Sequence, residues 1–508
     1  MLAMINPRLL LGAALMVVAT AASPFPAAAA DKCVRIAVPE KGGENESIDP
    51  SVAVTQGDFL NVNALYQPIV WIDDDLAAQP MLAESWESND AATEWTFHLR
   101  KDVKFHDGSP MSADDVVFTY QRILNPETGV AAKELAFIKP EGVAKVDDHT
   151  VRFTTADPIV EFPLLIGNKF AYVSKAGVPP AELAKRSYGT GPFMVENFKP
   201  GQPRTVFQRN SGYWEQGLPK APCIEIVAIS EPLARAAAVM GGEVDVVATA
   251  DPKTFTVLQK DAKIKLTQSK RGTLMAMPMF IDVAPFDDVR VRQALKAVVD
   301  REAILKNILL GYGQLANDNP IPPGSPDAYR DDAKPRDVEG AKKLLADAGH
   351  PNGLEIDMYA ASILPGSVDM AQAYQQMAKD AGITVNIISS PAETYWDDVW
   401  LKQPFVVSFW GARPTSSALS IAYRAGATYN ETHWRRPEYD ALLDKANSTL
   451  DPEKRREYYR EAQKLLSEEG GVIAPVFQNL VAALRGNCDG YHPHSDINRA
   501  EFRYLHCE

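Results

Sequence analysis

One short segment of the sequence combines a cation with aromatic and small polar residues. It is the stretch 409–417, FWGARPTSS, in which Arg413 follows the strand predicted over 405–410. Sheets covered by helices bind ligands at the carboxyl ends of their strands, and a guanidinium binds carboxylate, phosphate or sulfonate groups through directional hydrogen bonds. We therefore expect Arg413 to contact an anionic group of a small ligand. The alternative is a structural ion pair with a neighbouring acid, because a buried charge needs a partner in either case.

Several further side chains could complete such a site. Aromatic rings supply apolar contact area in ligand clefts, and Trp410 lies next to the predicted loop, whereas Trp400 fits the core better. Thr55 and Gln56 follow Asp49-Pro50 near the N-terminus and could form an opposite wall, an assignment that rests on position alone. The predicted ligand-binding residues are Arg413, Trp410, Gly411, Thr415, Trp396, Tyr395, Thr55 and Gln56.

Three common catalytic motifs are absent from the sequence. The sequence contains no HExxH, no G-x-S-x-G and no P-loop motif. The acid pairs Asp114-Asp115 and Asp287-Asp288 stand at predicted helix starts, where the helix dipole favours negative charge. We therefore predict that the chain is not an enzyme. The alternative is a secreted hydrolase with a dispersed active site.

Two histidines near the C-terminus, His492 and His494, raise the possibility of a metal site. Protein metal sites normally need three or four donors, and the neighbouring sequence supplies no further histidine. We expect both to be surface residues, and we predict neither a metal site nor a cofactor.

The four cysteines, Cys33, Cys223, Cys488 and Cys507, all follow the N-terminal apolar segment. An even count in an exported protein favours disulfides, and four cysteines allow three connectivities. We favour Cys488–Cys507, which closes a short terminal loop, and then Cys33–Cys223. Free buried thiols are the alternative. The absence of a CxxC pair removes support for a zinc site or a redox dithiol.

The N-terminus has the features of a secretory signal. Arg8 precedes the apolar run 9–22, and the small residues 28–30 (AAA) form a cleavage site. The run is too short to span a bilayer comfortably, and Asp31-Lys32 before Cys33 is unlike a lipoprotein box. We predict cleavage after Ala30 and an exported, untethered product. The formal net charge of −14 argues against nucleic acid or an anionic membrane as a partner.

The order of elements indicates an α/β protein of more than one domain, since 508 residues exceed a single core. After about residue 274, helical periods alternate with short apolar strands, which implies a sheet with helices on its faces. Predicted helices cover 336–348, 370–381, 392–401 and 452–469, and one long helical region covers 291–308. Predicted strands cover 354–359, 384–388 and 405–410.

Several sequence blocks, in order, resemble one protein family. They are SIDP (47–50), MLAESW (81–86), WTFHLRKDVKFHDG (95–108), SADDVVF (112–118), YGTGPF (188–193), residues 210–214, GGEVD (241–245) and PFDDVRVRQAL (285–295). The chain resembles the extracytoplasmic solute-binding proteins, family 5, of the peptide, dipeptide and nickel ABC importers. The match covers essentially the whole chain after the signal segment.

This resemblance implies a two-lobed periplasmic-binding-protein fold with a hinge and an extra subdomain in lobe one. Lobe one would hold residues 31–273, with the subdomain at about 75–187, and lobe two residues 274–478. Residues 479–508 would return to lobe one, and two strands near 275–282 and 474–484 would cross between the lobes. The implied function is periplasmic capture of a peptide-like or other small solute, closure around it, and delivery to permease subunits of the inner membrane, by a monomer.

The sequence departs from the family pattern at two loops. In peptide-binding relatives the loop after the strand at 405–410 commonly carries an Asp that pairs with the peptide α-amino group, and this chain has Arg413 there instead. The loop 360–367, AASILPGS, lacks the Arg that dipeptide-binding members use for the ligand carboxylate. Both departures favour a solute with an acidic group over an ordinary dipeptide. Peptides, opine-like conjugates, modified amino acids and metal chelates all remain open.

Overall fold

The structure, a computed structural model, describes residues 32–41, 43–132, 134–392 and 394–508. The predicted signal segment and its cleavage after Ala30 lie outside these residues. Cys33–Glu508 form one unit. Among the described residues no helix has the length and apolar character needed to cross a membrane.

The first half of this unit contains eleven named strands and six α-helices among its described residues. In chain order they are β1 (Val34–Val38), α1 (Gln56–Leu65), β2 (Val70–Ile72), β3 (Ala78–Pro80), β4 (Ala83–Ser88), β5 (Glu94–Leu99), α2 (Ala113–Ile123), β6 (Ile138–Asp147), β7 (Thr150–Thr155), α3 (Phe162–Ile166), α4 (Pro180–Leu183), β8 (Phe193–Met194), β9 (Arg204–Arg209), β10 (Cys223–Ala228), α5 (Pro232–Gly241), β11 (Val246–Val247) and α6 (Pro252–Leu258).

The second half begins with a long strand and is richer in helix. Its elements are β12 (Ile264–Pro278), α7 (Val289–Ala297), α8 (Arg301–Asn307), β13 (Gly313–Leu315), α9 (Val338–Asp347), β14 (Leu354–Ala360), α10 (Ser367–Lys379), β15 (Ile383–Ser389), α11 (Tyr395–Asp398), β16 (Ser408–Trp410), α12 (Thr415–Ile421), α13 (Pro437–Asn447), α14 (Pro452–Glu469), β17 (Val472–Arg485), β18 (Cys488–Asp489) and β19 (His506–Cys507).

Local sequence signals explain several of these elements. Ser112 caps α2, and its backbone N–H donates to Oδ2 of Asp115 at 2.8 Å, the reciprocal arrangement expected from S-x-x-D. In β5 the residues Trp95, Phe97 and Leu99 are buried on one face, as alternation predicts. The predicted last helix coincides with α14, which Pro452 opens and Gly470 ends.

A nine-stranded sheet extends through both halves. Its order is β16-β12-β17-β11-β1-β10-β9-β8, and β13 also pairs with β17. The antiparallel pairing of β12 with β17 runs from Ile264 opposite Arg485 to Pro278 opposite Val472. These are the two longest strands described, and they include the segments predicted to cross between lobes.

Separate hydrophobic cores lie along these two strands. Ala482 and Leu484 of β17 pack in one core with β1 and α1, which also holds Phe502 and Leu505 near the C-terminus. Earlier in the same strand, Ile473 and Val476 pack in another core with β14, α10 and Phe405. The sheet β4-β5-β7-β6 packs with α2 around a third core. The fold is therefore the predicted two-lobed α/β architecture, and the exact residue limits of the lobes stay predictions.

Two predicted helices differ from the structure. Among its described residues the segment 392–401 contains helix only at Tyr395–Asp398, and Leu401 has a left-handed φ of 61°, which a helix cannot accommodate. The long helical region over 291–308 is two helices, because Asp300 starts a new one by accepting a 2.9 Å hydrogen bond from the Ala303 amide.

Both cysteine pairs favoured by the sequence are bonded. Cys33 is joined to Cys223, and Cys488 is joined to Cys507. The second bridge links β18 to β19, where the two cysteines face each other across an antiparallel pair. The first bridge ties the start of β1 to the start of β10.

Candidate functional site

Strand β16 and the loop after it lie beside β12. Leu274 pairs with Trp410, Met275 with Phe409 and Ala276 with Ser408 in an antiparallel register. Of the predicted strand 405–410, Ser408–Trp410 forms the strand β16. Phe405 and Val406 form isolated bridges to Met279 and Tyr359 instead. The chain then passes through Gly411 and Arg413 into the short helix α12.

A cavity of about 430 Å³ opens at this loop. Arg413, Pro414 and Thr415 contribute to one side of it, and residues around β3 and α3 contribute to the other. Other residues that line this cavity are Asp75, Leu76, Trp86, Trp95, Glu161, Arg271, Pro322, Asp327, Arg455 and Arg456. Its volume lies in the range of sites for small molecules. A much smaller neighbouring cavity is lined by Trp410, Gly411, Arg271 and Arg413 among others.

Arg413 is half-buried and packs against an aromatic ring. Its guanidinium carbon lies 5.3 Å from the ring centroid of Trp410, within cation–π range. Its Nε is fully buried and has no hydrogen-bond partner among the described residues, and burial lowers the pKa of Arg413 below its usual value. The described residues place no carboxylate within 4 Å of its guanidinium nitrogens. They therefore do not provide the structural ion pair that was the alternative for this side chain.

The acids that line this cavity already have cationic partners. Asp75 is 2.5 Å from Nζ of Lys270, and Glu161 is 3.6 Å from Nε of Arg455. Asp327 is 3.6 Å from Nε of Arg456 and accepts a 2.6 Å hydrogen bond from Thr415.

Two more distant acids, Glu134 and Asp496, also have other partners. Their charges raise the pKa of Arg413, against the larger effect of burial. Glu134 accepts a 2.9 Å hydrogen bond from Asn168, and Asp496 lies 3.5 Å from Nε of Arg499. The cavity thus presents a cation that the described protein groups do not neutralise at contact distance, which suits an anionic ligand.

A larger cavity of about 790 Å³ lies on the other side of α12. Ser416, Ser417 and Ser420 of α12 line it together with Phe137 and Tyr429. Helix α12 therefore separates two spaces, one with Arg413 and one with serine hydroxyls.

The match to known proteins covers most of the chain. The model for "Bacterial extracellular solute-binding proteins, family 5 Middle" matches residues 77–432. The chain belongs to this family.

Relatives of this family 5 protein align with most of its length. Heme-binding protein A of Haemophilus influenzae is 29% identical over 454 residues, 81% of each chain. Glutathione-binding protein GsiB of Salmonella choleraesuis is 28% identical over 498 residues, 93% of this chain and 94% of its own. The structure of HbpA2 from Haemophilus parasuis superposes with a TM-score of 0.81 at 22% identity and covers 94% of this chain and 99% of its own.

The protein is therefore a solute-binding protein, the component of an ABC importer that captures a small molecule. The relatives named above are binding proteins and give no support to the hydrolase alternative. The fold they share is the two-lobed periplasmic-binding-protein fold.

The structure distributes the eight predicted ligand-binding residues of the family 5 protein over several places. Arg413, Trp410, Gly411 and Thr415 line the two adjoining cavities. Tyr395 is fully buried, and its hydroxyl donates to the carbonyl of Val407 at 2.8 Å, which is a core contact.

The other predicted residues do not line the three cavities described. Trp396 is exposed and meets Trp400 and Phe409 edge to face. Thr55 caps α1 by accepting from the Asp58 amide. Gln56 is buried, and its Nε2 donates to Oγ1 of Thr249 at 2.7 Å. A ligand role for these residues stays a prediction.

Sequence reasoning missed two residues of this region. Arg271, in β12, lines both adjoining cavities. Glu431 is buried and accepts hydrogen bonds from Trp400, Ser408 and Trp410. No local signal could have found them, because Lys270-Arg271 resembles a solvated charge pair and Glu431 stands in a polar loop.

The expectation that both C-terminal histidines lie on the surface is wrong for His494. His494 is buried, its Nε2 lies 2.9 Å from the carbonyl oxygen of Ile72, and its ring meets Trp71 edge to face. Its Nδ1 accepts from the Asp496 amide at 2.9 Å. Both ring nitrogens therefore have partners within the protein. Among the described residues no group of three or more His, Cys, Asp and Glu is placed to hold a metal ion.

Proposed function

We propose that this protein captures a small solute with an anionic group in the cleft at Arg413 and releases it unchanged to a membrane permease. The observation that carries the proposal is the cation itself. Arg413 packs on Trp410, its Nε is buried without a hydrogen-bond partner among the described residues, and the acids of the cavity have other partners. A half-buried cation without a carboxylate at contact distance is stabilised when an anion binds beside it.

The chemical class of solute is a peptide-like or other small acid. One relative is named as a glutathione-binding protein, and a peptide with free carboxylates would suit a guanidinium. The family's amine-pairing Asp is replaced here, so a free amino terminus has no matching carboxylate in the loop at 411–414. Capture without chemical conversion is part of the proposal, and the relatives' names as binding proteins support it.

The place of action is the periplasm. We propose export with cleavage after Ala30, and delivery by the monomer to permease subunits of the inner membrane. Lobe one would comprise residues 31–273 and 479–508, and lobe two residues 274–478, as the separate cores along β12 and β17 support. N-terminal sequencing of the secreted protein should start at or near Asp31. A product that retains Met1 in the membrane fraction would contradict export.

The ligand experiment has two steps. Solute released from gently purified protein is identified by mass spectrometry, and it should be an acid that is unchanged after prolonged incubation with the protein. It is then titrated calorimetrically into wild-type and Arg413→Ala protein. Loss of one charge-assisted contact, worth about 1.5 to 3 kcal/mol, should weaken binding about tenfold to hundredfold.

Melting curves without solute serve as the control for this comparison. They should change little, because Arg413 holds no protein carboxylate among the described residues. Equal affinities of the two proteins would end the proposal for Arg413. Conversion of the solute by the protein would favour the hydrolase.

A further inference from the structure

Arg271 of β12 and Arg413 of the loop after β16 lie beyond the same end of the β12–β16 ladder. The ladder ends at the pair Leu274–Trp410. Arg271 precedes Leu274 by three residues, and Arg413 follows Trp410 by three residues. Both residues line the same two cavities.

Neither arginine is neutralised at contact distance by the described residues. Asp75, Glu161 and Asp327 are paired with Lys270, Arg455 and Arg456, as described above. The polar contacts of Arg271 are made by its backbone, whose N–H donates to Oγ of Ser495 at 3.1 Å and whose carbonyl accepts from Ser269. Its guanidinium therefore remains available to the cavity.

The Nε atoms of both arginines are buried. Neither has a hydrogen-bond partner within the part of the chain that the structure describes. A buried N–H without an acceptor is unfavourable. An oxyanion between them would supply acceptors for both, since guanidinium donors match the oxygens of carboxylates, phosphates and sulfonates.

We propose that Arg271 and Arg413, the arginine pair, bind one oxyanionic group of the solute together. The inference rests on the proposed function, because it assigns a second residue to the same site. The apolar side chains of Leu76, Pro322 and Trp410 border the arginine pair and would contact the carbon atoms next to that group. Arg271 is thereby a specificity-determining residue that lies far from the family's ligand loop in sequence.

The test compares Arg271→Gln, Arg413→Gln and Arg271→Lys with the wild type. Arg152→Gln is the matched control, because Arg152 lies on the four-stranded sheet at 3.8 Å from Glu94 and outside the three cavities. Inorganic phosphate is the probe, with sodium chloride at equal ionic strength as reference. Binding is measured by thermal shift and by calorimetry, and the solute released from the wild type is titrated in parallel.

Each glutamine variant should bind phosphate and the released solute about tenfold to hundredfold more weakly than the wild type. Arg271→Lys should lose part of this affinity, because lysine keeps the charge without the planar donor pair. Without phosphate, both glutamine variants should melt close to the wild-type temperature, because neither arginine holds a carboxylate at contact distance among the described residues. Arg152→Gln should match the wild type in affinity.

Two results would overturn the arginine pair. If Arg271→Gln and Arg271→Lys bind both probes like the wild type while Arg413→Gln loses affinity, Arg413 acts alone and the proposed function stands. If solute affinity is unchanged in all variants, the proposed function fails as well. If Arg271→Gln does not fold, the affinities of Arg271→Lys decide whether Arg271 binds the anion, because lysine preserves the charge.

Discussion

The indole Nε1 of Trp410 donates a 2.7 Å hydrogen bond to Oε1 of Glu431. The other carboxylate oxygen accepts from Nε1 of Trp400 at 2.9 Å and from Oγ of Ser408 at 2.7 Å. Glu431 is buried, and burial raises the pKa of its carboxyl above the usual value. Arg413, the side chain proposed to bind the ligand, packs over the face of Trp410. The buried carboxylate of Glu431 therefore positions the ring against which Arg413 packs.

Replacement of Glu431 by Gln should therefore destabilise the protein and weaken solute binding. An amide offers one acceptor oxygen in place of two, so at least one of the three donors loses its partner, at a cost of about 1 to 3 kcal/mol. Urea unfolding measures the free energy, and calorimetry the affinity. The control is Glu461→Gln on the exposed face of α14. Unchanged unfolding of Glu431→Gln would show that the three hydrogen bonds do not hold Trp410.

His106 makes the stability of the protein depend on pH. Its ring nitrogens lie 3.0 Å from Oγ of Ser187 and 3.1 Å from the carbonyl oxygen of Gly191. Burial lowers the pKa of His106 to about 4. Between pH 6.5 and 4 the unfolded chain binds a proton that the folded protein does not bind, so the free energy of unfolding falls as the pH falls.

The expected loss from His106 is about 3 kcal/mol between pH 7 and pH 4, from 1.36 kcal/mol per pKa unit. Denaturant titrations at several pH values would measure it. In His106→Gln this part of the pH dependence should disappear. His492→Gln, at an exposed histidine, should keep it. Parallel pH curves for the wild type and His106→Gln would contradict the assignment.

Contacts of α13 and α14 with the segment before α3 should favour the closed cleft. Nε of Arg455 lies 3.6 Å from Glu161, and the Val160 amide donates to the carbonyl of Asn447 at 3.2 Å. Arg455→Met should shift the protein toward a more open form, by about 1 to 3 kcal/mol, because it leaves the largely buried Glu161 carboxylate without this partner. Small-angle scattering should show a larger radius of gyration without solute, and calorimetry a solute affinity about fivefold to hundredfold lower.

Lys454→Met serves as the control for this experiment, because Lys454 is an exposed residue of the same helix. It should scatter like the wild type. A radius of gyration for Arg455→Met equal to that of the control would mean that the ion pair does not influence closure.

The two disulfides should differ in their contribution to stability. Cys33–Cys223 spans 190 residues and Cys488–Cys507 spans 19. Loop-closure entropy assigns about 5 kcal/mol to the longer loop and about 3 kcal/mol to the shorter one. Urea unfolding of Cys33→Ala/Cys223→Ala and Cys488→Ala/Cys507→Ala should reproduce this order. The reverse order would indicate that residual structure in the unfolded chain outweighs the loop entropy.

Elements with strong local signals were predictable from the sequence. Helix α14 coincides with its prediction because Asp451, Pro452 and Gly470 act within one or two turns of chain. The capping pair Ser112 and Asp115 was found for the same reason. The local pattern of the segment around Tyr395 predicts a longer helix than the structure has. Nothing in that pattern indicates the left-handed backbone conformation of Leu401.

In the ligand region, too, some residues could be identified from the sequence and others only from the tertiary structure. Arg413 could be selected from the sequence alone, because it follows a predicted strand directly and the position of a ligand loop depends on that local order. The sequence also identified the family and favoured the two cysteine pairs that are bonded in the structure. Arg271 and Glu431 were assigned only by the tertiary structure. Arg271 lines the cavity with Arg413 because β12 pairs with β16. Glu431 bonds to Trp410 because its loop packs against that residue. Both relationships depend on contacts between residues distant in the chain, whose geometry the intervening sequence does not encode locally.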